Sequence, residues 1–251
     1  MQESGGTGTR LVEEFGFQSL VDEVEGRIQC LAEALATGCS KVFVRDTCWL
    51  AGLHASREVP PTLLTELLTH LKAELLANLP DQDGLFAGDY LQAALDGSHP
   101  SSDVQPVPVD DPNPQADCLG RFLLAVLEGK PAVAEQIINE AIVSDVSISD
   151  LHHLVLTPAQ RELGDMWHKG EISIAEEHLG SRIVERALVT LRTHMPIAAS
   201  TDKRVLLASV PGNLHDIGLH VVADQFEMHG WTPVFLGANM PIDDLALAVR
   251  Q

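Results

Sequence analysis

The hydrophobic period of this chain changes at Lys203, and that change limits what it can fold into. Upstream, apolar residues recur three and four apart, the pattern of amphipathic helices. Leu11, Phe15, Leu20, Val24, Ile28, Leu31 and Leu35 mark a first helix with Gly38 as its stop. A second follows around Val42–His54. Pro60 and Pro61 open a third, PPTLLTELLTHLKAELLANL, and LFAGDYLQAAL forms a fourth. Residues 97–116 carry five prolines and break the pattern. The period then returns in CLGRFLLAVLEG and PAVAEQIINEAIVSD, which read as a hairpin turning at Gly129-Lys130-Pro131. SISDLHHLVLTPAQRELGDMWHKG is a third helix of this group, with a bend expected near Pro158. SIAEEHLGSRIVERALVTLRTHM is the fourth. Its Ser173 and Glu176 have the spacing of a capping box, in which each side chain satisfies the other residue's backbone N–H. Beyond Lys203 the runs RVLLASV (204–210) and TPVFLG (232–237) are continuously apolar and suit fully buried parallel strands.

The fold class that follows is α plus α/β. Residues 1–10 are expected to be disordered, 11–96 an N-terminal helical domain, and 97–116 a linker. Residues 117–197 form a four-helix bundle and 198–251 the start of a Rossmann-like, doubly wound sheet. Two parallel strands leave sheet edges unpaired, so the chain reads as a fragment truncated at 251. A formal charge of −20 repels phosphate backbones and anionic lipid, which argues against direct nucleic-acid or membrane-surface binding. Apolar runs fall far short of a membrane span. Cys30, Cys39, Cys48 and Cys118 have no CxxC spacing and read as reduced thiols of a cytoplasmic protein. No acid/base pair, nucleophile or phosphate loop stands out, so turnover is not expected and the chain reads as no enzyme.

His215 stands apart from the other histidines by position. It lies in PGNLHDIG, the loop leaving the C-terminal end of the first strand, where open α/β sheets bind their ligands. Gly212 and Gly218 give the loop its turn and leave room for a bulky partner. An imidazole there can bind a metal, with Asn213 and Asp216 as supporting partners.

PGNLHDIG, followed by GWTPVFLGANMP, resembles the cobalamin-binding domain with its D-x-H-x-x-G motif. The resemblance implies His215 as the lower axial ligand of cobalt and Gly218 as the motif glycine. Asn213 stands where that family usually has Asp, so the ligand is expected to be less electron-rich. Trp167, nine further residues, and then Glu177-His178 give W-x9-E-H. This resembles the adenosyl-capping motif of cobalamin photoreceptors of the CarH type. That resemblance implies Trp167 stacked on the adenosyl group, Glu177 and His178 bonded to its ribose and base, and Ile174 between them. It also implies His168 as an upper cobalt ligand once light has cleaved the Co–C bond. The segments FVRDTCWLAGLHASREVPPTLL and ELLANLP are similar, more loosely, to the helical extension of photocobilins, which hold biliverdin as well. His54, His70, His152 and His153 are candidates for bilin contacts, with a structural role the stronger reading of each.

The resemblance implies an adenosylcobalamin-dependent light sensor that changes domain or subunit contacts on photolysis. Biliverdin would be a second chromophore, and a homo-oligomer or a regulatory protein would be the partner. The alternatives are a corrinoid protein that carries methyl groups in a methyltransferase system, and a B12-dependent antirepressor or other protein-binding module.

Overall fold

The computed structural model describes residues 17–97 and 113–250. The stretch 1–10, the first turns from Leu11 and most of the 97–116 linker lie outside the described residues. The described chain divides into two compact units. One holds residues up to Gly97 together with His168–Gly170, and the other holds 113–167 and 171–250.

In the first unit, helices α1 (Phe17–Thr37), α2 (Ser40–Ser56), α3 (Pro61–Asn78) and α4 (Asp81–Gly97) follow one another through short turns. Gly38 ends α1 with φ at 66°, a left-handed value that costs glycine least. Pro61 opens α3, where its missing N–H costs nothing. Phe43, Leu64, Leu68, Leu91 and the alanines 34 and 94 form the core. Fully burying each large side chain contributes about 1.5–3 kcal/mol. Arg27 pairs with Asp46 of α2 and, along α1 itself, with Glu23. Burial and then Asp46 push the neighbouring Cys30 thiol up to about 12, so it stays protonated. All four cysteines are free.

The second unit begins with α5 (Ala116–Leu127) and α6 (Pro131–Val143). One continuous rod follows, built from α7 (Ile148–Asp150), a π-helical segment (Leu151–Leu156) and α8 (Thr157–His168), and then α9 (Ile174–Arg192). These helices share one core, with Phe122, Ile138, Leu151, Val155, Leu156, Leu163, Val184 and Leu188 fully buried or nearly so. Where a bend was expected near Pro158, the structure has a π segment, Leu151–Leu156, just before the proline. Proline has no N–H to offer the Leu154 carbonyl four residues back, and Asn113 Nδ2 fills that vacancy at 2.9 Å. The capping box forms as the spacing requires. Ser173 Oγ accepts from the Glu176 N–H, and Glu176 Oε2 accepts from the Ser173 N–H at 2.7 Å.

Strand β1 (Arg204–Ala208), helix α10 (Ile217–Met228), strand β2 (Thr232–Gly237) and helix α11 (Ile242–Ala248) complete the unit. The strands pair in parallel, Arg204 opposite Thr232 and Leu207 opposite Phe235, with an irregularity that sets Ala208 opposite Gly237. The strands were expected to be fully buried, and they are not. Only Leu207 of β1 is buried and no residue of β2 is. Two strands offer each other one hydrogen-bonded edge and are only partly covered by α10, so most of their side chains stay half-covered. Among the described residues no helix is long and apolar enough to cross a membrane.

Candidate functional site

The loops leaving β1 and β2 at their C-terminal ends place His215. The residue is exposed, and two bonds to one oxygen fix it. Asn213 Oδ1 accepts from the His215 backbone N–H at 2.9 Å and lies 3.2 Å from His215 Nδ1. A carbonyl oxygen can only accept, so in the neutral tautomer that this bond selects Nδ1 carries the proton and Nε2 the lone pair. Asn213 thus does what a carboxylate would do at this position, without the charge. Asp216 follows at the helix boundary with no side-chain cap bond to α10. Gly218 lies in the first turn, and a Cβ built there would meet nothing within 4 Å. Val210 and Leu214, in the same loop, are 60% and 72% exposed.

Helix α9 faces this loop with charge. Arg182 is gripped by both carboxylate oxygens of Glu185 at 2.8 and 2.7 Å. That bond first, and the Asp216 charge among smaller causes, raise the Arg182 pKa above its ordinary value.

The second group of expected residues lies where α8 and α9 cross. Gly180 makes the crossing close, since a Cβ there would sit 2.9 Å from Leu163 and 3.1 Å from Val126. Glu177 is fixed through both oxygens. Oε1 accepts from Ser181 Oγ at 2.7 Å, and Oε2 lies 2.6 Å from His178 Nδ1. Gln160 of α8 donates to Ser181 Oγ at 2.8 Å, while its own Oε1 is buried without a partner. Trp167 is two turns beyond Gln160 on α8 and half-buried; Ile174 is 51% exposed. The structure therefore brings Glu177 and His178 into direct contact, with His178 outermost. Ser181 and Gln160 were missed from the sequence, although the i, i+4 spacing of Glu177 and Ser181 was a usable signal.

His168 belongs to the first compact unit. Its Nε2 lies 2.8 Å from the Trp49 carbonyl oxygen and its ring 5.0 Å from the Trp49 ring. Of the other histidines, His54 is half-buried and His70 exposed. His153 Nδ1 bonds the Ser149 carbonyl at 2.8 Å. His152 is fully buried, its Nε2 3.4 Å from Asp224 Oδ2.

A lone imidazole holds cobalt firmly only when the metal brings its other ligands with it. The donor set at His215 fits a corrinoid in that respect: one free nitrogen, an oriented ring, open space at Gly218 and exposed apolar side chains in the same loop.

Residues 119–192 match a family model described as a B12 binding domain. The HTH-type transcriptional repressor CarH of Myxococcus xanthus is 28% identical over 141 residues, 55% of this chain and 46% of that protein. The trimethylamine corrinoid protein of Methanosarcina barkeri is 22% identical over 130 residues, 51% of this chain and 60% of that protein. The chain thus spans between about half and three-fifths of the length of these curated relatives. Among solved structures, the Methanosarcina barkeri monomethylamine corrinoid protein superposes with a TM-score of 0.50 at 17% identity, over 54% of this chain and 64% of that one. That likeness shows a shared fold, a helical group followed by a small parallel sheet.

Proposed function

We propose that this chain is a corrinoid-binding protein in which His215 Nε2 is the lower cobalt ligand and the α8–α9 crossing forms the cover above it. The observation that carries this reading is the Asn213–His215 pair, which leaves one imidazole nitrogen free at the mouth of a parallel sheet. The B12 binding domain match, over the helices that precede that sheet, supports it. A bound corrinoid supplies a cobalt–carbon bond that can be broken by light or used to pass on an alkyl group. The protein's part is to hold the ring, exclude water and set the group above cobalt. Gly218 would make room, and Asp216 would be a supporting partner beside His215.

For the upper face we propose an adenosyl group. Glu177, held through Ser181 and Gln160, presents a fixed acceptor, and His178 Nε2 stays free beside it. Trp167 offers an indole face on the same helix as Gln160, and Ile174 an apolar edge. A methyl group would give these polar residues nothing to bond. On this reading the chain is a light sensor and not an enzyme. His168 would be the residue to hold cobalt once the adenosyl group has left, which requires its Nε2 to leave the Trp49 carbonyl. Altered domain or subunit contacts are the output, with a second copy or a regulatory protein as partner. The N-terminal unit would hold biliverdin.

A second reading has its own support. The trimethylamine and monomethylamine corrinoid proteins match by sequence and by fold respectively, and their names fit a methyl carrier. Purification in darkness with adenosylcobalamin or methylcobalamin, then illumination with green light, separates the two. The sensor predicts stable adenosyl binding in the dark and spectral change with altered oligomeric state in light. Preferential methylcobalamin binding, with no light-dependent change in assembly, would favour the carrier. Biliverdin added during expression should give red absorbance; its absence removes the second chromophore.

A further inference from the structure

The loop that bears His215 is tied to the loop after β2 by a residue that the function above does not use. We propose that Asn239 is a positioning residue for the axial histidine, acting through the backbone of Gly212 and Asn213. The proposal rests on the corrinoid reading and extends it to a second loop.

Asn239 reaches the His215 loop from both its side chain and its backbone. Its Oδ1 accepts from the Gly212 N–H at 2.8 Å. Its own N–H donates to the Asn213 carbonyl at 3.0 Å. The same carbonyl accepts from Ser209 Oγ at 3.0 Å, and Ser209 is buried. Flanking bonds run from the Ser209 N–H to the Gly237 carbonyl and from the Met240 N–H to the Ser209 carbonyl, each at 3.0 Å. The peptides on both sides of the turn, at Gly212 and at Asn213, are thereby fixed to β2's exit. Only then does the Asn213 side chain stand where its oxygen holds the His215 N–H and Nδ1 together. The chain of contacts is Asn239 to loop backbone, loop backbone to Asn213, and Asn213 to imidazole.

Two backbone angles fit this role. Asn239 has φ at 54° and Gly212 at 82°, both left-handed. Asparagine tolerates that region better than other side-chain-bearing residues and brings an acceptor, whereas glycine tolerates it and brings none. The choice of Asn at 239 therefore meets a conformational and a hydrogen-bonding need at once. The two needs can be separated by substitution.

The test compares the full chain with Asn239→Gly, which keeps φ and removes the acceptor, and Asn239→Asp, which keeps an acceptor oxygen. Each is loaded with cobalt(II) cobalamin after growth on histidine carrying the spin-one-half isotope of nitrogen. The nitrogen splitting of the electron paramagnetic resonance signal reports whether cobalt is bound by the protein's histidine or by the cofactor's own base. Wild type and Asn239→Asp should show histidine ligation. In Asn239→Gly the ratio of histidine-bound to base-bound cobalt should fall about 10-fold or more, the scale seen for partners that orient a metal ligand, with thermal unfolding close to wild type. An unchanged ratio in Asn239→Gly, or equal loss in Asn239→Asp, overturns the proposal. Amide exchange at Gly212 in the cofactor-free wild type adds a measurement that needs no variant: the bond to Asn239 predicts protection, and exchange as fast as an open amide overturns the role. A wild type that takes up no cobalamin defeats the corrinoid reading itself, which is distinct from a wild type that ligates through histidine while Asn239→Gly ligates equally well.

Discussion

At the scale of single residues the site turns on what stands at Nδ1 of His215. Asn213 Oδ1 occupies that place at 3.2 Å and is neutral. A carboxylate there would strengthen the bond to the Nδ1–H and make Nε2 a better donor. Asn213→Asp should therefore raise the fraction of cobalt bound through histidine, by up to about 10-fold on the scale of such outer partners. Spectroscopic titration with cobalamin reads this directly; a fall in that fraction would mean that the amide's N–H side, not its oxygen, is what matters. That His215, Asn213 and Gly218 share the loop and first helical turn after β1 was legible in the sequence, because an apolar run, a glycine-flanked loop and a helical period follow one another there. Asn239 was not. Its role comes from hydrogen bonds between two loops 27 residues apart, and no local spacing encodes such a pairing.

At the scale of elements, two contacts hold the second unit in the shape the site needs. The first is the α8–α9 crossing. Gly180→Ala would push a methyl group to within 2.9 Å of Leu163 and 3.1 Å of Val126. Neither can retreat far, because Leu163 is fully buried and Val126 is 2% exposed. The expected cost is about 1–3 kcal/mol of stability, read as a lower urea midpoint with an unchanged slope. A midpoint equal to wild type would show that the crossing has slack. The second contact joins the helical group to α10. Asp224, 1% exposed, accepts from Arg192 Nε at 2.7 Å and lies 3.4 Å from His152. Asp224→Ala would leave Arg192 and His152 without that carboxylate. Loss of one partner of a buried pair costs about 3–5 kcal/mol. Arg192 keeps some water, with its side chain 34% exposed, so about 3 kcal/mol is expected by chemical unfolding, and a loss below about 1 kcal/mol would contradict the role assigned to it. The helices themselves were legible from their period and the α9 start from its capping box. The π segment was not: proline predicts an irregularity, but its form depends on Asn113 reaching the Leu154 carbonyl across the fold.

At the scale of the whole molecule, stability should depend on pH through half-buried histidines whose neutral form the fold favours. His220 stacks on Phe235 with centroids 4.1 Å apart and accepts from Arg192 Nη2 at Nδ1, 2.9 Å away. Burial first, then the Arg192 charge, hold its pKa below the ordinary 6.5, against the smaller upward pull of Asp216, Asp224 and Glu185. Burial lowers His54 in the other unit as well. Below 6.5 the unfolded chain takes up a proton before the folded one does, so this contribution is complete above 6.5 and is lost as pH falls through the folded value. Thermal unfolding followed between about pH 8 and 5 should show the midpoint falling at the acid end. His220→Gln should flatten that fall, and the difference between the two profiles separates His220 from the many carboxylates. Identical profiles would show that His220 charges as readily in the folded chain as in the unfolded one.

The order of helices and the parallel pair of strands could be read from period alone. Strand burial could not, because it depends on how much of the sheet is covered, and the apolar runs record only the demand for cover. The central claim is that one imidazole nitrogen of this chain binds cobalt from below. Electron paramagnetic resonance of the wild-type protein, labelled at histidine with the spin-one-half nitrogen isotope and loaded with unlabelled cobalt(II) cobalamin, tests it most directly. The account predicts that each cobalt line splits into a doublet, from the labelled His215. Persistence of the triplet from the cofactor's own base would contradict it.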